Sequence, residues 1–244
     1  MVVTEKQKNI ILKCVVPIIA NKAGEDPAHG TAIWFESKTG KTGLLTNAHA
    51  LFQKESMTIT ARINNNKETR IEDVNILLES PCVMDEENDL MLVDVSHLIK
   101  TLRSEGKEID GYFLNENMIN TNYSGIPFLQ TVLMVGFPGR TMEQRNCFPI
   151  CRTGVIASDY SYINTPSDLF YLDIHSFGGA SGSPIFLVSG EEIRLIGINK
   201  AGVLLSKKIS TPFEDVSALF FNENIGVATC INSIAVRNLV QKFL

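Results

Sequence analysis

The chain has 244 residues, 44% of them hydrophobic and 20% charged, with a formal net charge of −5. This balance suits a globular protein with a real core and excludes a disordered or fibrous chain. The acidic sign argues against a nucleic-acid partner, whose phosphates want a basic face, and no apolar run approaches the roughly 20 residues that span a bilayer. The length fits one large all-β domain or two small ones. Met1 to Asn9 lacks a basic-then-apolar signal pattern, so a cytoplasmic location and no membrane contact are expected. Cys14, Cys82, Cys147, Cys151 and Cys230 are odd in number and scattered, which reads as free thiols. Cys147 and Cys151 have no second Cys/His pair nearby, so no metal and no cofactor are expected.

Taken in order, the chain reads as strands separated by turns. Ile10 to Ala20 is apolar and β-branched and predicts a first strand, and Asn21 to Gly30 is turn-like. Thr31 to Phe35 predicts a strand, joined by the Thr39–Gly43 hairpin to Leu44-Leu45-Thr46, with a short helical turn at Ala50 to Phe52. Met57 to Ile63 alternates as a half-exposed strand should, Asn64 to Lys67 is a surface turn, and Val74 to Leu78 and Leu90 to Val95 follow as strands. These make about six strands, enough for one barrel. Ser96 to Asn122 is polar and reads as a connection with a short helix over Ser96–Leu102. The β pattern then resumes at Thr131–Gly136, Cys151–Ile156, Leu169–Ile174, Ile185–Val188, Ile193–Asn199 and Gly226–Cys230. Ser233 to Leu244 has helical spacing behind a serine cap.

Chemistry concentrates at Gly178-Gly179-Ala180-Ser181-Gly182-Ser183-Pro184. Ordering several glycines costs backbone entropy, so the stretch is an expensive choice for a turn alone. It is useful where backbone N–H groups must point into one small space beside a hydroxyl, the geometry of an oxyanion hole next to a nucleophile. A serine nucleophile needs a base, and the base an orienting group. Only four histidines exist, and His49 ends the apolar run Gly43–Ala48. About forty residues later Asp89 leads into another apolar strand, with Asp94 and Glu87 as rival acids and Ser183 as a rival nucleophile.

Thr46-Asn47-Ala48-His49, Asn88-Asp89-Leu90-Met91-Leu92 and Gly179-Ala180-Ser181-Gly182-Ser183-Pro184 resemble the three motifs of chymotrypsin-like (trypsin-fold) serine proteases, in that family's chain order. The likeness runs from about Val15 to Leu244 and is nearest the bacterial branch of glutamyl endopeptidases and HtrA-type protease domains; Gly136-Phe137-Pro138-Gly139 resembles a turn of the latter. The resemblance implies an all-β fold of two six-stranded antiparallel barrels with a C-terminal helix: an N-terminal barrel over 1–100, a linker over 101–128, a second barrel over 129–232 and a helix over 233–244. It implies a serine endopeptidase with His49, Asp89 and Ser181 as catalytic residues, the N–H groups of Gly179 and Ser181 as the oxyanion hole, and His175, Ser176, Asn199 and Lys200 around the substrate pocket. With no acid on that pocket's floor, a preference for Lys or Arg is disfavoured, and His175 and Lys200 could receive an acidic or polar side chain. Ala180 stands where digestive relatives carry the acid that pairs with a freshly cut N-terminus, so activation by that ion pair is not available. The expected partners are a protein or peptide substrate and a regulatory protein; the alternative is a latent or inactive trypsin-fold module within a larger assembly.

Overall fold

The structure is a computed structural model, and it describes residues 3–65, 68–79, 81–140, 147–209 and 219–243. Of the turn read over Asn64 to Lys67, Asn66 and Lys67 lie outside the described residues, as do Met1, Val2 and Leu244 at the ends.

The chain opens with a helix, α1 (Glu5–Lys13), where the apolar run predicts strand from Ile10. Local capping decides the difference. The Thr4 hydroxyl accepts from Gln7 N–H at 3.2 Å and Gln7 Oε1 accepts from Thr4 N–H at 2.8 Å, a reciprocal box that fixes the first turn. Ile10 and Ile11 then fall on the buried face, and Gln7 donates to the carbonyls of Gly190 and Glu192 far along the chain.

The first β layer comprises β1 (Val15–Asn21), β2 (Ala28–Glu36), β3 (Thr42–Asn47), β4 (Ser56–Asn64), β5 (Thr69–Leu77), β6 (Cys82–Asp85) and β7 (Leu90–Asp94), in the order β5-β4-β1-β2-β3-β7-β6. The four-residue helix α2 (Ala48–Leu51) follows β3, and α3 (Ser96–Ser104) follows β7. A two-residue strand, β8 (Glu108–Ile109), adds to β4. β4 alternates inward and outward along its length, whereas β3 is buried at every position because it is covered on both faces.

The second layer comprises β9 (Thr131–Gly136), β10 (Ile150–Ile156), β11 (Leu169–Asp173), β12 (Pro184–Ser189), β13 (Glu192–Ile209) and β14 (Leu219–Asn232). It closes as a barrel in the order β10-β11-β14-β13-β12-β9. β13 and β14 run well past the ends read from sequence, as a long antiparallel pair. A second closed barrel is not shown: among the described residues the first layer is an open sheet with β5 and β6 at its edges. These two are consecutive in the chain, β6 has only four residues, and the connection carries Pro81, which has no N–H to give to a ladder.

Three apolar clusters hold the structure. One fills the first sheet and one the barrel; the third lies between, with Ile33, Phe35, Leu45 and Leu92 from the first layer against Leu133, Val135, Phe186 and Ile198 from the second. The C-terminal helix α4 (Ser233–Phe243) buries Val236, Leu239, Val240 and Phe243 in that shared cluster. Its cap is Asn232, not Ser233: Asn232 Oδ1 accepts from the N–H groups of Ile234 and Ala235, while the Ser233 hydroxyl donates to Asn120 O.

Candidate active site

β3 ends at Asn47 and α2 begins at once, so His49 stands in the first turn of a short helix at the end of an interior strand. Asp89 immediately precedes β7, the neighbour of β3. It holds φ at +56°, a left-handed conformation that Asp tolerates better than most residues. The two residues are joined twice. Asp89 Oδ1 accepts from the backbone N–H of His49 at 2.8 Å, and Asp89 Oδ2 lies 2.8 Å from His49 Nδ1. An ionised carboxylate only accepts, so this contact selects the tautomer of a neutral imidazole that has its proton on Nδ1 and its lone pair on Nε2. Asn47 and Ala48 donate to Asp89 O, which fixes the backbone beneath. The carboxylate is largely buried and the imidazole is half exposed.

Ser181 lies in the loop between β11 and β12, and this loop is held from below. Ser181 O accepts from Thr31 N–H at 2.8 Å, and Gly179 O accepts from the Thr31 hydroxyl at 3.0 Å. The same hydroxyl accepts from Phe137 N–H at 3.0 Å, and Thr31 O accepts from Thr46 Oγ1 at 2.7 Å. Gly182 (φ +85°) must be glycine twice over: an added Cβ would overlap Thr31 O. Gly179 (φ +88°) sits with its Cβ position 2.6 Å from Phe137 O. Asn199 completes the brace, donating from Nδ2 to Ala180 O and to Ser176 Oγ, while its carbonyl accepts from Gly182 N–H.

Gly178 O accepts from Gly139 N–H at 2.6 Å. In a trans peptide C=O and N–H point opposite ways, so this bond turns Gly179 N–H away from Gly139. Among the described residues neither Gly179 N–H nor Ser181 N–H has an acceptor in the protein. The Ser181 hydroxyl donates to Lys200 O at 3.1 Å rather than to His49, and Lys200 Nζ stands 3.9 Å from Asp89 Oδ2. His49 and Asp89 are thus in direct contact, and Ser181 joins them through Lys200.

The other residues read as pocket-forming are divided. Ser176 and Asn199 are buried and bonded to one another. His175 is exposed, stacked on Phe177 with ring centres 5.9 Å apart and 9° between planes; Phe177 in turn faces the Arg152 guanidinium, which donates to His175 O. A cavity of about 420 Å³ beside α4 is lined by Lys38, Glu116, Arg194 and Arg237 and holds none of these residues. Ser183 is fully buried against Gly136, Asp94 accepts from Ser96 N–H, and Glu87 accepts from Ser167 Oγ. Among the described residues no group of three or more His, Cys, Asp or Glu could hold a metal ion. None of the helices described is long and apolar enough to cross a membrane. Sequence reasoning missed Thr31, Thr46 and Gly139, whose work is to hold the serine loop; a threonine in a strand carries no sign of such a role.

No family model matches the chain, and no curated protein matches it. Solved structures do: 522 chains match, among them a serine endoprotease from Yersinia pestis at a TM-score of 0.54 and 17% identity, over 99% of this chain and 67% of that one. The chain has a trypsin-like fold, with one closed barrel and one open sheet. The likeness covers both β layers and α4. At 17% identity it is a likeness of fold.

Proposed function

We propose that this protein is a serine endopeptidase with Ser181 as nucleophile, His49 as general base and Asp89 as its orienting acid. The observation that carries the reading is the doubly bonded His49–Asp89 pair, which Lys200 links to a serine loop whose N–H groups at 179 and 181 have no acceptor in the protein among the described residues. A rotation about the Ser181 side chain moves its hydroxyl from Lys200 O toward His49; such bonds commonly tighten only with substrate bound. Ser181 Oγ then attacks the peptide carbonyl carbon while its proton passes to Nε2. The carbonyl π electrons move onto oxygen, to which the N–H groups of Gly179 and Ser181 donate. Collapse breaks the C–N bond, Nε2 returns the proton to the departing amine, and water repeats the sequence on the acyl-enzyme. Losing one oxyanion donor typically costs about 2.7–4 kcal/mol of transition-state stabilisation.

Substrate recognition is proposed at His175, the exposed member of the four pocket residues. An acidic preference now rests on that imidazole, because the Lys200 ammonium is turned to Asp89. A peptide panel varying the residue before the scissile bond tests it, and fastest cleavage after Arg sinks it. The chemistry itself is tested by a fluorophosphonate probe. Labelling is expected in the wild type and absent in Ser181→Ala. A wild type that never labels, or a Ser181→Ala variant that still does, overturns the assignment.

A further inference from the structure

Lys200 touches the site at both ends. Its carbonyl accepts the Ser181 hydroxyl at 3.1 Å, and its ammonium lies 3.9 Å from Asp89 Oδ2, the oxygen that also faces His49 Nδ1. Its place in the sheet explains how one residue does both. β13 pairs with β14 at Asn199↔Cys230 and next at Ala201↔Thr229, so Lys200 is an extra residue in the ladder, a β-bulge. Bulges re-aim a side chain relative to the regular alternation of a strand. Asn199, bonded to the serine loop through its backbone and its side chain, anchors the strand just before the bulge. The Lys200 side chain is about one-third exposed, 34% of it accessible. At 3.9 Å it pairs with the carboxylate by charge without displacing the hydrogen bond to His49.

We propose that Lys200 is a positioning residue that works through Asp89: its ammonium balances the carboxylate, so that His49 is held by hydrogen bonds and not drawn into a standing ion pair. The proposal rests on the reading of Ser181 and His49 given above. With a neutral imidazole, the Asp89–Lys200 pair has no net charge. A proton arriving on His49 from solvent would add an uncompensated cation. A proton arriving from Ser181 comes together with the negative oxyanion and adds no net charge. Lys200 therefore favours protonation by the nucleophile over protonation by solvent. Among the described residues the His49 imidazole and the Lys200 ammonium are the basic partners within 4.0 Å of Asp89. Other titratable groups on the neighbouring elements include Asp85, bonded to Asn88, Glu86 and Glu87 before β7, with Glu87 bonded to Ser167, Asp94, bonded to Ser96, Cys230 opposite Asn199, and His175 stacked on Phe177; among the described residues none of their side chains bonds to His49, Asp89 or Lys200.

The test is the pH profile of fluorophosphonate labelling between pH 5 and 9 for the wild type, Lys200→Met, Lys200→Gln and Lys200→Arg, with folding checked by circular dichroism. The acid limb of the two neutral variants is expected to move to higher pH by about 0.2–0.7 unit, the size of a partly exposed ion pair. Lys200→Arg, which keeps the charge, is expected to overlay the wild type. The shift should shrink at 1 M salt, where the screening length falls to about 3 Å. Neutral variants whose limb coincides with that of the wild type overturn the proposal, and so does an arginine variant that behaves like methionine, because shape and not charge would then be at work. Lys200→Gln carries the test if the methionine variant does not fold. A wild type that does not label defeats the protease reading instead, so the two failures are distinct.

Discussion

Thr31→Val removes one hydroxyl and keeps the side chain's shape. Thr31 is fully buried, and its hydroxyl both donates to Gly179 O and accepts from Phe137 N–H, each at 3.0 Å. A typical hydrogen bond contributes about 1 kcal/mol net, and a buried partner left unpaired costs about 1–3 kcal/mol. With two partners orphaned together, the expected loss is about 2–4 kcal/mol. A domain with about 5–15 kcal/mol of stability survives that, and with a slope of about 3 kcal/mol/M the urea midpoint should fall by about 1 M. The functional effect should exceed the stability effect, since Gly179 supplies a proposed oxyanion donor and both lost partners lie on the loops that orient it. We expect the fluorophosphonate labelling rate to fall at least ten-fold under conditions where the variant is fully folded. Thr31→Ser keeps the hydroxyl and drops one methyl group, worth about 0.8 kcal/mol, and should label within a few-fold of the wild type. A valine variant with an unchanged urea midpoint and labelling rate would show that this hydroxyl does not hold the serine loop.

Three further outcomes are expected. Asn232→Ala removes the α4 cap and the amide that donates to the carbonyls of Thr165, Pro166 and Asp168, and should cost about 3 kcal/mol in urea denaturation. Burial pushes the Cys147 thiol up to about 11, raises Cys14 and Cys230 strongly and also raises Cys151, so at pH 8 a thiol reagent should titrate exposed Cys82 first, Cys151 more slowly and all five only after denaturation. Burial would raise the Asp110 carboxyl, but hydrogen bonds from Lys13 and Arg62 outweigh it and hold it below its usual range. A lowered folded-state value stabilises above the unfolded value and is lost as pH falls through it, so the wild type should lose stability below about pH 4 by more than Asp110→Asn does.

What the sequence showed and what it hid have separate physical causes. His49, Asp89 and Ser181 each sit in a short local run whose residue types announce a turn beside a strand, and such runs can be read without knowing what they face. The start of the chain was misread because Ile10 to Ala20 is one unbroken apolar stretch, and only the Thr4–Gln7 box, upstream of it, decides that the first part is helical. The closure of the first sheet was invisible for a different reason: it depends on whether β5 and β6 meet, and strand patterns say nothing about partners. Thr31 bonds to Phe137 and Gly179, 106 and 148 residues away, so no window of sequence contains its role. Lys200 shows the sharpest limit. The resemblance places it at the substrate pocket, where it could receive an acidic side chain, but one inserted residue in the β13–β14 ladder accompanies an ammonium 3.9 Å from Asp89. A bulge shifts every later position by one against its partner strand, so which face a side chain serves is a property of the pair of strands and not of either alone.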